Sequence, residues 1–170
     1  MRVVIVNPKH HLMIHYIIGD ATNPIGNGNK IITHVCNDIG AWGKGFVLPL
    51  AKKWPQTKSV YLTSFASKPH PQLGDIQIIA AEPTLWIINI IGQHKITTRY
   101  SKEEIPPVRY EAIQTALHQV AIFAAGEKAT VHMPRIGCGL AGGTWNKIEP
   151  LINEAFDKND IQVYVYDLPA

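Results

Sequence analysis

Apolar residues along this chain follow two rhythms. Short, nearly unbroken runs of Ile, Val and Leu recur between polar breaks, while other stretches place apolar positions three and four apart. The runs predict strands over residues 3–7, 12–18, 31–37, 76–81, 85–91, Thr130–Met133 and 162–167. In Ile87-Ile88-Asn89-Ile90-Ile91 there is no apolar/polar alternation. Such a strand needs cover on both faces. Glu82-Pro83-Thr84, between two runs, reads as a hairpin turn, which makes the predicted sheet mixed.

The second rhythm predicts helices. Tyr110, Ile113, Leu117, Val120 and Ala124 are spaced 3, 4, 3 and 4 apart, which draws one apolar stripe on a helix starting near Pro107. Trp145, Ile148, Ile152 and Ala155 or Phe156 draw another, with Thr144 placed to cap it. Pro150 falls inside that helix and is expected to kink it. Shorter helices are expected over residues 45–53 and 56–67. Strands and helices in this order predict an open α/β sheet with helices on both faces, built as one domain over residues 1–170.

Composition narrows the class. The chain has 170 residues, enough for a core, with 46% hydrophobic and 17% charged residues. No stretch approaches the roughly 20 apolar residues of a membrane span. No apolar segment with a cleavage site marks the N-terminus for export, so the expectation is a cytoplasmic protein with Cys36 and Cys138 as free thiols. The net charge of +3 is scattered, which suits a phosphate-bearing ligand better than a nucleic-acid duplex. His10, His11 and His15 lie close in sequence but lack a metal-ligand spacing. No metal and no cofactor are expected.

Three strand ends carry candidate chemistry. The first is Ile17-Ile18-Gly19-Asp20-Ala21, where Asp20 stands at the carboxyl end of a strand, the end at which open α/β sheets bind ligands. It is read either as an acceptor for an adenine amino group or as a turn residue satisfying its own backbone. The second is His34-Val35-Cys36-Asn37-Asp38-Ile39-Gly40-Ala41-Trp42-Gly43-Lys44-Gly45. Glycines there let backbone N–H groups approach phosphate, the helix that follows adds its dipole, and Lys44 adds a cation. The third is Pro134-Arg135-Ile136-Gly137-Cys138-Gly139-Leu140-Ala141-Gly142-Gly143-Thr144, a strand running through four glycines into a helix. It spells G-x-G-x-x-G outside the dinucleotide-fold setting, and a backbone cradle for a diphosphate remains its physical reading. Cys138 within it reads as a small filler. His34 reads as a core histidine, and His94, in Gly92-Gln93-His94-Lys95, as the better candidate for acid–base work.

Two cradles suit a ligand with two phosphates and a sugar at each end. At these residues the chain resembles macrodomains, over nearly its whole length. Pro134-Arg135-Ile136-Gly137-Cys138-Gly139-Leu140 followed by Trp145 is similar to the branch containing the terminal ADP-ribose glycohydrolases. His34-Val35-Cys36-Asn37-Asp38 with Trp42-Gly43-Lys44-Gly45 agrees with that branch's first loop. The resemblance implies that Asp20 reads the adenine amino group, that Ala21 touches the ring through its backbone, and that Tyr166 packs on it. It implies that Arg135, Ile136, Gly137, Cys138, Gly139, Leu140 and Ala141 form the diphosphate loop. Asn37, Asp38, Trp42, Gly43, Lys44 and Gly45 would surround the distal ribose.

The chain departs from that branch where the glycohydrolases look to use a lysine and an aspartate. Gln93 and Ala141 stand at those places. A lysine-based covalent route is therefore not expected. Hydrolysis would instead rest on Asp38, Gln93 and Asn37 around a positioned water. The implied function is binding of ADP-ribose and hydrolysis of mono-ADP-ribose from a modified protein or nucleic acid, on esters of acidic side chains. The alternatives are a non-catalytic ADP-ribose reader and a phosphatase for ADP-ribose 1''-phosphate. Nothing demands a partner chain, and a monomer is expected.

Overall fold

A computed structural model describes residues 14–98, 100–102 and 105–170. The strand expected over 3–7, residues 12 and 13 of the strand expected over 12–18, and His10 and His11 lie outside the described residues. The elements run β1 (Ile14–Ile18), β2 (Lys30–Asn37), α1 (Val47–Lys53), α2 (Pro55–Ser64), β3 (Ile76–Glu82), β4 (Leu85–Gln93), α3 (Tyr110–Glu127), β5 (Thr130–Met133), α4 (Trp145–Asp157) and β6 (Val163–Asp167). Six strands form one sheet in the order β1-β6-β5-β2-β4-β3. The first five of that order run parallel, and β3 is antiparallel to β4 across the Glu82-Pro83-Thr84 turn.

Alternate residues of the isoleucine run pack into different layers. Ile88 and Ile90 join the large core beneath α3 and α4, with Ile113, Leu117, Val120, Ile148 and Phe156. Ile87 faces the other way toward Leu50 of α1, and Ile91 toward Tyr61 of α2. Both faces are covered, so the architecture is a three-layer α/β/α domain with a mixed sheet.

Asn89 breaks the run because its face carries a polar chain. His34 Nε2 lies 2.6 Å from Asn89 Oδ1, Asn89 Nδ2 donates to Gln77 Oε1 at 3.1 Å, and Gln77 Nε2 donates to the Ser64 hydroxyl at 2.8 Å. Each buried group is thereby satisfied, which removes most of the desolvation cost.

Two helix starts differ in detail from the pattern. α3 begins at Tyr110 rather than near Pro107, because Val108 and Arg109 are held extended: the Val108 N–H donates to Ala141 O and the Arg109 N–H to Gly92 O, each at 2.9 Å. Thr144 occupies the cap position of α4, yet its hydroxyl donates to Asn146 Oδ1 instead of receiving a helix N–H. α4 runs on through Pro150, whose ring nitrogen has no hydrogen to donate. Among the described residues no helix is long and apolar enough to cross a membrane.

Candidate functional site

Neighbouring strands β5 and β2 send the chain to opposite faces of the sheet. After β5 it enters α4, in the core with α3; after β2 it enters α1, on the other side. Such a switch point opens a crevice at the carboxyl ends of parallel strands, the usual ligand position in open α/β sheets. Residues 37–46 flank it from β2 and residues 134–143 from β5. The two loops meet across it, since a Cβ added to Gly45 would lie 3.7 Å from Leu140 Cδ1.

The 134–143 loop is shaped by its own backbone. Gly143 N–H donates to Gly137 O at 2.7 Å, Gly142 N–H to Gly139 O at 3.0 Å and Cys138 N–H to Arg135 O at 3.3 Å. Gly137 has φ +72°, a conformation other residues rarely adopt. A Cβ on Gly143 would stand 2.4 Å from the Gly137 carbonyl oxygen, so this close approach needs glycine. Among the described residues, no bond within the loop takes the N–H groups of Gly139, Leu140 or Ala141, which are the donors a diphosphate cradle requires. Ile136 and Ala141 are buried and pin the loop to the core.

Arg135 is paired with an acid on the last strand. Its guanidinium makes a two-pronged bond to Asp167, Nε to Oδ1 and Nη2 to Oδ2 at 2.8 Å each, and lies 5.1 Å and 5.0 Å from the Tyr16 and Trp145 ring centres. The guanidinium holds the Asp167 carboxyl below its ordinary range. Cys138 is half-buried and burial raises its thiol, while Cys36 is buried and raised much further. Burial thus disfavours the nucleophilic thiolate at both.

On the β2 side, Asn37 organises its own loop. Its Oδ1 accepts the Ile39 and Ala41 N–H groups at 3.1 Å each and the Tyr61 hydroxyl at 2.7 Å, while Nδ2 donates to Ala41 O at 2.6 Å. Trp42 packs edge-on to His34 and against Tyr61, with its indole N–H buried. Gly43, Lys44 and Gly45 are exposed on the outer turn.

Asp38 sits on the lip of the crevice. Its Oδ2 lies 2.7 Å from His94 Nδ1, and its Oδ1 accepts the Lys95 N–H at 2.7 Å. Register explains the pairing: Asn37 and Gln93 are partners across β2 and β4, so the next residue of each strand meets the other. The Gln93 amide donates to Lys95 O at 2.9 Å.

At the β1 end, Asp20 Oδ1 accepts both the N–H and the hydroxyl of Thr22 at 2.8 Å, and Ala21 is buried beside it. Tyr166 is buried behind Gly19, and its hydroxyl accepts the Ile25 N–H at 3.0 Å. A separate cleft of about 460 Å³ lies between Thr22, Lys53 and Trp54, and none of its lining residues belongs to either glycine loop.

His34 is buried, and burial pulls its imidazole down to about 4 despite the bond to Asn89. It is a neutral core histidine. Tyr61 was not marked by the sequence pattern, because α2 has no apolar stripe and its partner is the polar Asn37. Asp167 and Tyr16 as partners of Arg135 were likewise invisible, being brought together from distant segments. Among the described residues no group of three His, Cys, Asp or Glu side chains is placed to hold a metal ion.

Five parallel strands, with glycine loops flanking a switch point, define an α/β domain with a crevice at its strand ends. The chain belongs to the macrodomain family. It is 30% identical over 161 residues to an ADP-ribose 1''-phosphate phosphatase of Candida albicans, covering 90% of this chain and 99% of that protein. A macrodomain protein from Streptomyces coelicolor superposes with a TM-score of 0.78 at 47% identity, over 91% of this chain and 98% of that one. A shorter match, 37% identical over 60 residues, is to the human ADP-ribose glycohydrolase OARD1, over 35% of this chain and 40% of that protein. The mouse chromodomain-helicase-DNA-binding protein 1-like is 26% identical over 166 residues, and the chain spans 18% of its length. No family model matches the chain.

Proposed function

We propose that this macrodomain binds ADP-ribose in the crevice and hydrolyses mono-ADP-ribose from modified macromolecules, on esters of acidic side chains. The observation that carries the reading is the meeting of two glycine loops over the switch point, with an Asp carboxylate on the lip. In this reading Asp20 and Ala21 hold adenine, with Tyr166 behind it. The backbone of residues 136–141 takes the diphosphate, and residues 37–45 take the distal ribose. Arg135 supports that loop from outside through Asp167.

A binding loop alone would serve a reader. A carboxylate beside the anomeric carbon favours chemistry, since breaking the bond passes through an oxocarbenium-like state that negative charge stabilises. The chemistry does not run through lysine. Gln93 is neither nucleophile nor base, and the Ala141 side chain has no polar group. Gln93 instead positions water or a ribose hydroxyl, and Asn37 keeps the ribose loop in shape. The Candida albicans relative supports a second reading, removal of the phosphate from ADP-ribose 1''-phosphate.

The test is release of free ADP-ribose from a protein mono-ADP-ribosylated on glutamate, beside release of phosphate from ADP-ribose 1''-phosphate. Calorimetry with ADP-ribose is done on the same preparation. The proposal expects ADP-ribose from the first substrate. Phosphate alone would favour the second reading, and binding with neither product would make the protein a reader.

A further inference from the structure

Resting on the hydrolase reading, we infer that His94 takes the proton from the attacking water and that Asp38 is its positioning residue rather than the base itself. Asp38 has both oxygens engaged, one by the His94 ring and one by the Lys95 N–H, each at 2.7 Å, with only 14% of its side chain exposed. A carboxylate so enclosed has little room to receive a water. The imidazole is 37% exposed. A carboxylate can only accept, so the proton facing it sits on Nδ1 and the lone pair on Nε2, at the far side of the ring.

The backbone around the ring is fixed for this. The His94 N–H donates to Pro107 O at 2.8 Å, and Gln93 pairs with Val108 in a short antiparallel bridge. Lys95 adopts φ +59°, uncommon for a residue with a Cβ, and in that turn its N–H reaches Asp38. Strain of this sort persists where the surroundings enforce it, often at functional sites. The two buried histidines contrast with His94. His34 has its Nε2 on Asn89, and His132 has Nδ1 on Tyr166 and Nε2 on Thr130. Their ring nitrogens serve the fold.

The step balances with one base. Water oxygen bonds to the anomeric carbon, its proton moves to His94 Nε2, and the bond from that carbon to the ester oxygen breaks. The electron pair leaves on the acyl carboxylate, which needs no proton at neutral pH. The imidazolium, stabilised by Asp38, then returns its proton to solvent. An ester is the linkage that such a site, with a base and no acid called for, handles best.

The experiment measures ADP-ribose release from a glutamate-modified protein by the full chain and by His94→Ala and Asp38→Asn, with ADP-ribose calorimetry on all three. For His94→Ala the expectation is a kcat lower by about 100-fold or more, ADP-ribose affinity near that of the parent, and partial recovery of rate on adding imidazole. For Asp38→Asn it is a reduced kcat at little-changed KM. A His94→Ala variant turning over like the parent, or slow and insensitive to imidazole, overturns the role of His94 and leaves the hydrolase reading standing. A parent that binds ADP-ribose but releases none from the ester removes the hydrolase reading, and this inference with it.

Discussion

The Tyr166 hydroxyl lies 2.7 Å from His132 Nδ1 and at the same time accepts the Ile25 N–H at 3.0 Å. The other nitrogen of that imidazole meets Thr130 Oγ1 at 2.8 Å. This small chain ties the segment after Asp20 to the centre of the sheet. Tyr166→Phe keeps the ring but leaves the Ile25 N–H and His132 Nδ1 without that partner. The expected loss of stability is about 1–3 kcal/mol, read from the urea midpoint.

Acid should weaken the fold through two histidines. Burial holds both His34 and His132 at about 4 when folded, against 6.5 as the ordinary value. With folded values depressed, the unfolded chain binds more protons between those limits. The contribution is complete above pH 6.5 and is lost as pH falls toward 4, at roughly 1.4 kcal/mol per pH unit for each group. Thermal midpoints between pH 7.5 and 4.5 should therefore drop below 6.5, and less steeply in His132→Gln. An equal slope in that variant would remove His132 from the account.

The diphosphate loop offers a sharper test. In Gly143→Ala the new methyl group would meet the Gly137 carbonyl oxygen at 2.4 Å, breaking the 2.7 Å bond that closes the loop. ADP-ribose affinity should fall about 10-fold or more, equivalent to about 1.4 kcal/mol, with the far-ultraviolet circular dichroism unchanged. An unaltered dissociation constant would place the diphosphate elsewhere.

Asp20→Ala probes the adenine end. It should weaken ADP-ribose by about 1–3 kcal/mol, the scale of a lost buried hydrogen-bond partner. The comparison with Thr22→Ala separates ligand contact from loop shape, because Asp20 also holds Thr22 through two 2.8 Å bonds. Equal losses in the two variants would reduce Asp20 to a turn residue.

What was legible in the chain follows from what leaves a periodic trace. The stripe from Tyr110 to Ala124 and the isoleucine run each repeat one physical demand many times, so helix, strand and layering could be read from them. The start of α3 could not, because Val108 and Arg109 are held extended by carbonyls of Ala141 and Gly92, far away in sequence. The glycine loops announced themselves by composition. Their supports did not: Tyr61 under Asn37 and Pro107 behind His94 act through bonds between segments apart in sequence. The Asp38–His94 contact lay between, with both residues visible and only the strand register able to join them.

The amide pair Gln77 and Asn89 has a consequence for how β3 finds its place. These residues are partners in register, within a paired stretch that is otherwise largely isoleucine and alanine. Sliding β3 by two positions would preserve the inward and outward faces and bury much the same hydrocarbon. The amides would be mismatched, stranded against aliphatic neighbours. Hydrophobicity thus builds the edge of the sheet without addressing it, and the tight turn together with this polar contact writes the address.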